Sequence, residues 1–123
     1  PVMIHQRWGR IINLSSVFGK YGGANTAAYC TANFGIQGFT QALALEVARH
    51  GITVNAVCPG TVDTARMDGL GRGDTWQQAV ESIPMGRPGS DAEVAGLIAF
   101  LCSGAAAYIT GQSININGGL AMW

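Results

Sequence analysis

The chain has 123 residues, a length that fits a single domain, and its seven basic and seven acidic residues leave no net charge at pH 7. Without a net positive field or a basic run, the composition disfavours binding to nucleic acid and to membrane surfaces. Only 11% of the residues are charged and 48% are hydrophobic, whereas an ordinary soluble domain carries about 25% charged residues, so we expect much of the surface to contact protein.

The first predicted elements are the end of a helix and a buried strand. The opening PVMIHQRWG is typical of the tail of an amphipathic helix, and we expect more chain in front of it. RIINLSS, residues 10–16, is a β-branched run that follows Gly9 and ends in serines, which is typical of a strand buried on both faces. A glycine-rich loop, VFGKYGGANT, comes next.

A long helix and a second strand follow this loop. From about residue 26 to residue 50, apolar residues recur at helical spacing, with Phe39 and Leu43 on one stripe, and Gly51 marks the helix stop. ITVNAVCPG, residues 52–60, is another continuous apolar run and predicts a second buried strand. Strand, helix and strand in this order predict a right-handed βαβ unit with parallel strands.

The last part of the chain adds a lid, a helix and a strand. Residues 61–89 are glycine-rich and irregular, with one short helix predicted near DTWQQAVESI, and we expect this segment to form a mobile lid. SDAE, residues 90–93, matches a capping box and predicts a helix to about Gly104. ITGQSININGG supplies a last strand over residues 112–117. The sequence therefore predicts an α/β domain with three strands, two main helices and a lid.

The cysteines and the apolar runs bear on where the protein works. Cys30, Cys58 and Cys102 are odd in number and have no paired CxxC spacing, so the sequence predicts neither a disulfide framework nor a metal site. The longest apolar run, VAGLIAFLC, is too short to cross a bilayer, and no export signal stands at the start. These features predict reduced thiols, a cytoplasmic protein and no membrane partner.

Four motifs in series resemble the C-terminal half of a short-chain dehydrogenase/reductase: GRIINLSS, YCTAN, NAVCPGTVDT and ITGQSININGG. The resemblance covers essentially the whole chain and is strongest to the 3-oxoacyl-[acyl-carrier-protein] reductase type. It implies that residues 1–123 form one domain, the C-terminal portion of a Rossmann-like, doubly wound parallel sheet. It also implies an NAD- or NADP-dependent oxidoreductase that interconverts a carbonyl and an alcohol on a small-molecule substrate.

Two candidate catalytic residues follow from this resemblance. In the family a serine that closes the strand and a tyrosine thirteen positions later converge on the substrate oxygen, and Ser16 and Tyr29 have this separation. Ser16 would donate a hydrogen bond to that oxygen as negative charge develops, and Tyr29 would hand it a proton while a nicotinamide delivers hydride to the carbon. Without the resemblance, Ser16 is a strand-end hydroxyl bonded to backbone, and Tyr29 is a helix residue with its ring in the core.

Asn33 stands one helical turn after Tyr29, at the place where the family has a lysine. A free phenol has a pKa near 10, and by resemblance the lysine ammonium lowers this value and also grips the ribose of the nucleotide. An amide carries no charge, so we expect weak turnover or none. Three explanations stay open: a deliberately inactivated variant, a naturally degenerate copy, or a cation supplied from elsewhere. Lys20, the only lysine, is the candidate for the last.

The motif PGTVDT turns the chain off the second strand, and in the family this turn lies against the nicotinamide. By resemblance the backbone at Val62 meets the carboxamide, and Thr64 adds a hydroxyl to the carboxamide or the phosphates. The resemblance thus assigns five cofactor-binding positions, Asn33, Pro59, Gly60, Val62 and Thr64. Without the resemblance, the motif is an ordinary loop in which proline and glycine end a strand.

The family's glycine-rich pyrophosphate turn is not in this sequence, since GLGRGD, residues 69–74, follows no strand and is a false match. The family's sheet would place a further strand beside RIINLSS, so we expect that edge to be open and to invite pairing. The predicted partners are therefore a companion N-terminal segment or further copies of the chain. Residues offered for contacts between copies are Ala28, Ala32, Phe39, Leu43 and the segment GGLAMW.

A second hypothesis comes from a different functional class. The chain would be a catalytically silent assembly module that keeps the interface helices of the family and has lost its chemistry. The neutral amide of Asn33 and the missing glycine-rich turn both favour this alternative.

Overall fold

Two β-sheets and four α-helices make up the described residues, 1–65 and 73–123, of the computed structural model. The α-helices are α1 (Val2–Gln6), α2 (Ala27–Val47), α3 (Asp74–Glu81) and α4 (Asp91–Cys102). The strands are β1 (Gly9–Leu14), β2 (Ile52–Pro59), β3 (Val62–Asp63), β4 (Gly89–Ser90) and β5 (Ser113–Ile116). Three single turns of 3₁₀ helix cover Val17–Gly19, Ala48–His50 and Gly104–Ala106.

The main sheet has the strand order β1-β2-β5, and both pairs of neighbours are parallel. The register aligns Gly9 with Ile52 at the start of β1, and Pro59 with Ile116 at the end of β2. The central strand β2 is buried from Ile52 to Cys58, including the polar side chains of its run. The sequence also predicted β1 to be buried on both faces, but this strand is only partly buried and ends at the exposed Leu14. The predicted βαβ unit and the α/β class are confirmed, and the helices lie on both faces of the sheet.

Side-chain alternation along β1 shows which helix covers which face. Asn13 donates from Nδ2 to the Thr40 hydroxyl of α2 at 2.8 Å. The preceding residue, Ile12, points the other way and packs against the buried cluster that contains Val57 and Leu101 of α4. The sheet is therefore sandwiched between α2 and α4.

The face of α2 that is buried differs from the apolar stripe that the sequence periodicity predicted. Asn33, Thr40 and Ala44 are the buried residues of this helix, whereas Phe39 is 57% exposed. Because α2 is apolar on most sides, spacing alone does not select the face that meets the sheet. The small and polar residues face inward, and the large rings face outward.

Both helix boundaries predicted from local chemistry are confirmed. The side chain of Ser90 accepts from the N–H of Glu93, and the Glu93 carboxylate accepts from the N–H of Ser90, so α4 begins with a complete capping box. Gly51 ends the turn after α2 with φ of 72°, and a Cβ at that position would collide with the carbonyl oxygen of Arg7.

The predicted lid over residues 61–89 is described in part. Its short helix is confirmed as α3, and β3 pairs with β4 in a small parallel sheet that the sequence did not predict. Residues 66–72 lie outside the described residues, and most of the GLGRGD segment falls there. Within the described ranges, no helix is both long and apolar enough to cross a membrane.

Candidate active site

Ser16 follows the carboxyl end of β1, at the sheet edge where parallel α/β proteins bind ligands. The N–H of Ser15 still belongs to the sheet and donates to the Val57 carbonyl at 2.8 Å. Ser16 is 7% exposed, and its Oγ accepts from the N–H of Phe18 at 3.2 Å, which caps the first 3₁₀ turn. Within the described part of the chain the hydroxyl makes no other hydrogen bond, so its proton is available to an acceptor.

Tyr29 lies in the first turn of α2 and faces the same region. Its side chain is 53% exposed, and its ring meets the ring of Phe18 edge-on at a centroid distance of 6.1 Å. Tyr29 and Ser16 line two cavities in common. The structure thus brings together the two residues that the sequence singled out, and their catalytic role stays a prediction.

We call the larger of these two cavities, of about 550 Å³, the strand-end cavity. Six of the seven residues singled out from the sequence line it: Ser16, Tyr29, Pro59, Gly60, Val62 and Thr64. The first turns of α4 close it through Asp91, Val94 and Ile98. The turn after β2 thus lines the same cavity as the serine and the tyrosine.

Gly60 permits this closure because the chain after β5 passes close to it. A Cβ at Gly60 would lie 2.7 Å from the Cβ of Asn117, a separation at which one of the two backbones would have to move. The N–H of Gly60 donates to the Ile116 carbonyl at 3.0 Å. The ends of β2 and β5 are held together here, directly behind the cavity wall.

Asn33 is the singled-out residue that does not line the strand-end cavity. It is 5% exposed, and its Nδ2 donates to the carbonyl oxygen of Tyr29 at 2.9 Å. Its own carbonyl accepts from the Ser15 hydroxyl at 3.0 Å. The side-chain amide is therefore bound within α2, and the backbone carbonyl of the same residue holds the end of β1. The structure does not bring the amide to the wall of the strand-end cavity.

Lys20 is engaged elsewhere. Its Nζ donates to the carbonyl oxygen of Ser113 in β5 at 2.9 Å. The same ammonium affects Cys58: burial raises the pKa of this thiol, while the Ser15 hydroxyl and the charge of Lys20 offset part of that rise. Lys20 thus ties its loop to β5, and it is not among the residues that line either cavity beside Tyr29.

The second cavity, which we call the aromatic cavity, measures about 370 Å³ and was not foreseen from the sequence. Besides Ser16 and Tyr29, it is lined by Phe18, Tyr21, Trp76 and Leu120. Phe18 also meets the ring of Tyr21 edge-on, with centroids 5.7 Å apart. These residues come from separate segments of the chain, so no local sequence signal marks them as one wall.

The strand-end cavity suits the nicotinamide end of a dinucleotide. Apolar walls for a flat ring come from Pro59, Val62, Val94 and Ile98, and Thr64 adds a hydroxyl to those of the serines and the tyrosine. Among the described residues, no lysine or arginine lines this cavity. The residues present therefore fit the ring and its carboxamide, and a phosphate group would have to be held elsewhere.

The fold and these strand-end residues define a Rossmann-like α/β protein with its ligand site at the carboxyl edge of a parallel sheet. Residues 1–121 match the family model described as Enoyl-(Acyl carrier protein) reductase. The chain belongs to the short-chain dehydrogenase/reductase family. The resemblance inferred from the four motifs is confirmed.

Several relatives are similar over nearly the whole chain. It is 48% identical over 118 residues to a 3-oxoacyl-[acyl-carrier-protein] reductase FabG of Aquifex aeolicus, which covers 96% of this chain and 47% of that relative. It is 46% identical over 120 residues to Nodulation protein G of Azospirillum brasilense, covering 98% of this chain and 48% of the relative. The chain therefore spans about half the length of the curated relatives it matches.

A solved structure agrees with the fold. The crystal structure of acetoin dehydrogenase YohF from Salmonella typhimurium superposes with a TM-score of 0.82 at 42% sequence identity. The match covers 96% of this chain and 45% of that one. The three-stranded sheet with its flanking helices is thus the arrangement found in the corresponding part of a dehydrogenase.

Proposed function

We propose that this chain is the substrate-side portion of an NAD- or NADP-dependent oxidoreductase that interconverts a carbonyl and an alcohol by hydride transfer. One observation carries the proposal: Ser16 and Tyr29 line both cavities at the end of β1, and the turn at Pro59 and Gly60 lines the larger one with them. A carbonyl oxygen between the two hydroxyls would leave its carbon facing the strand-end cavity.

Ser16 acts as the donor to the developing oxyanion. Its Oγ already accepts from the N–H of Phe18, so the hydroxyl proton points away from that bond and is free for the substrate oxygen. Because Ser16 is 7% exposed, little water competes for this hydrogen bond, and a donor fixed before the reaction begins is worth most in such a site.

Tyr29 acts as the acid in the reductive direction. Its Oη gives a proton to the same carbonyl oxygen as the carbon accepts hydride, which forms the alcohol and leaves a phenolate that solvent reprotonates. When bound, the nicotinamide supplies the hydride. Pro59, Gly60, Val62 and Thr64 would hold that ring with its reactive face toward the substrate carbon.

Turnover by this chain is expected to be impaired. A nearby cation lowers the pKa of an acid by about one to three units, and the amide of Asn33 supplies no charge and is bound to the Tyr29 carbonyl. Losing a two-unit shift makes the phenolate, which forms in the reduction and accepts the proton in the oxidation, roughly a hundredfold less favourable. Lys20 does not compensate, because its ammonium is bound to β5.

The second candidate function, a catalytically silent assembly module, is favoured by the outward face of α2. Phe34, Phe39 and Leu45 of this helix are 47%, 57% and 83% exposed, and apolar surface of this kind commonly marks a protein interface. In this proposal the chain associates with copies of itself or with an N-terminal companion segment. A cytoplasmic location remains a prediction under either function.

One experiment separates the two functions. The chain is titrated with NADH and with NADPH while cofactor fluorescence is followed, and then compared with Asn33→Lys and with Asn33→Met, which matches the length of the new side chain without its charge. Each is measured alone and joined to the amino-terminal half of a relative. Binding and reduction of a ketone that require both lysine and the added half support the oxidoreductase. Absence of nucleotide binding in every combination supports the module.

A further inference from the structure

We propose that the aromatic cavity selects a neutral ketone or secondary alcohol with an aryl or other apolar substituent, and rejects substrates that place a carboxylate beside the reacting carbon. This inference rests on the proposed function, because it takes the aromatic cavity as the side of the site that holds the substrate. It goes further by assigning the substrate's chemical class to Phe18, Tyr21 and Trp76.

The wall of the aromatic cavity is apolar and rich in rings. Phe18, Tyr21, Tyr29 and Trp76 are four of its lining residues, and they come from the 3₁₀ turn, the loop behind it, α2 and α3. Phe18 lies between the two tyrosines and meets both rings edge-on. Rings packed at such angles leave faces and edges against which a flat apolar group can stack.

The described part of this wall carries no charged side chain. Among the described residues, no Asp, Glu, Lys, Arg or His lines the aromatic cavity. The one charged side chain of the loop between Phe18 and Tyr21 is Lys20, and its ammonium is bound to the Ser113 carbonyl of β5. A carboxylate that entered the cavity would lose its water without meeting a compensating charge.

The size of the cavity fits a small ligand. Its volume of about 370 Å³ lies at the lower end of the range of roughly 300–1,000 Å³ that is typical of small-molecule sites. Ser16 and Tyr29 line this cavity as well as the strand-end cavity, so a ketone oxygen is held by the hydroxyls that the two cavities share. The rest of the substrate then contacts rings.

The test compares two ketones that differ in charge, acetophenone and benzoylformate, which replaces the methyl group of acetophenone by a carboxylate. Each is titrated into the chain without nucleotide while the indole N–H signals are followed by NMR. Trp76 lies in the aromatic cavity, whereas Trp8 lines a different cavity at the opposite end of the sheet and serves as the internal control. The variants Trp76→Phe and Trp8→Phe assign the signals.

Acetophenone is expected to shift the Trp76 signal saturably and to leave Trp8 unchanged, with benzoylformate at least about tenfold weaker. Trp76→Ala should weaken acetophenone binding, and Trp76→Phe should retain most of it. Equal binding of the two ketones, shifts at Trp8 alone, or no binding of acetophenone would overturn the inference. If acetophenone binds as expected and no nucleotide binds in the earlier experiment, the cavity assignment stands and the oxidoreductase proposal fails.

Discussion

Ser15 is a buried residue whose hydrogen bonds connect the end of β1 to the start of α2. Its hydroxyl donates to the Asn33 carbonyl at 3.0 Å, and its N–H donates to the Val57 carbonyl at 2.8 Å. Asn33 in turn donates to the Tyr29 carbonyl. This chain of hydrogen bonds connects the strand end that carries Ser16 to the helical turn that carries Tyr29. Ser15 is therefore a positioning residue, and the sequence alone showed only that it precedes Ser16.

Ser15→Ala is expected to lower the free energy of unfolding by about 1 kcal/mol, because a buried carbonyl loses a donor. The matched control is Ser113→Ala, since the buried Ser113 hydroxyl has no hydrogen-bond partner among the described residues and its removal should be neutral or stabilising. Urea unfolding of the two variants measures the difference. An equal decrease in the free energy of unfolding for both variants would show that the Ser15–Asn33 hydrogen bond does not stabilise the fold.

At the residue scale, the sequence predicted which side chains would meet only where a motif singled them out. Ser16, Tyr29 and Pro59, which the motifs singled out, line one cavity, and their roles there stay predictions. The sequence could not show that the Asn33 amide folds back on its own helix, because that bond depends on side-chain conformation. It also could not bring Trp76 into the same cavity as Phe18, because they are far apart in the chain.

At the level of elements, the sequence predicted the strands and the helix start for which a local pattern of residues has a direct physical cause. Mostly apolar runs marked β1 and β2, and for β2 the reason holds, because a strand buried on both faces needs no polar alternation. For β1 the predicted burial was wrong, because no described strand covers its outer edge and Leu14 is exposed. The serine and glutamate of the capping box marked the start of α4. Strands β3 and β4 have two residues each, too few for any periodicity, so their pairing is a consequence of how the turn after β2 meets the start of α4.

The capping box of α4 makes the stability of the folded protein depend on pH. The hydrogen bonds that Arg87 and Ser90 donate to the Glu93 carboxylate, with the charge of Arg87, lower the pKa of Glu93 from 4.5 to about 2. A carboxyl whose pKa is lower in the folded state stabilises the fold above its unfolded pKa, and this contribution is lost as pH falls toward the folded value. The window is therefore from about pH 5 down to about pH 2.

The substitution Glu93→Gln tests whether the ionised carboxylate of Glu93 stabilises the fold in this pH window. Glutamine can still accept at the third helical position, but it does not titrate. We expect the variant to be less stable than the parent chain at neutral pH and the difference to shrink steadily across the window, as measured by urea unfolding at each pH. Glu46→Gln, an exposed carboxylate on α2, is the control. A difference that stays constant down to pH 2 would contradict the role of the ion pair.

At the scale of the whole molecule, β1 is one of the two edge strands of the described three-stranded sheet. Among the described strands β1 pairs with β2 alone, and because the N–H of Ser15 points to β2, the N–H groups of Ile12 and Leu14 point to the open edge. Leu14 is 60% exposed. An edge with free donors and apolar side chains favours pairing with another strand, either from a companion N-terminal segment or from a second copy.

Leu14→Pro tests that pairing directly. Proline removes the N–H that faces outward and keeps the bonds to β2, and edge strands tolerate it. Leu14→Thr retains the N–H and replaces the apolar side chain by a smaller polar one that strands accept, so it separates the loss of a donor from the loss of an apolar group. In sedimentation velocity we expect the parent chain and Leu14→Thr to form assemblies, and Leu14→Pro to sediment as a smaller species. A parent chain that stays monomeric, or a proline variant that assembles equally well, would show that the β1 edge is not the contact. The exposed face of α2 would then be the remaining surface to test.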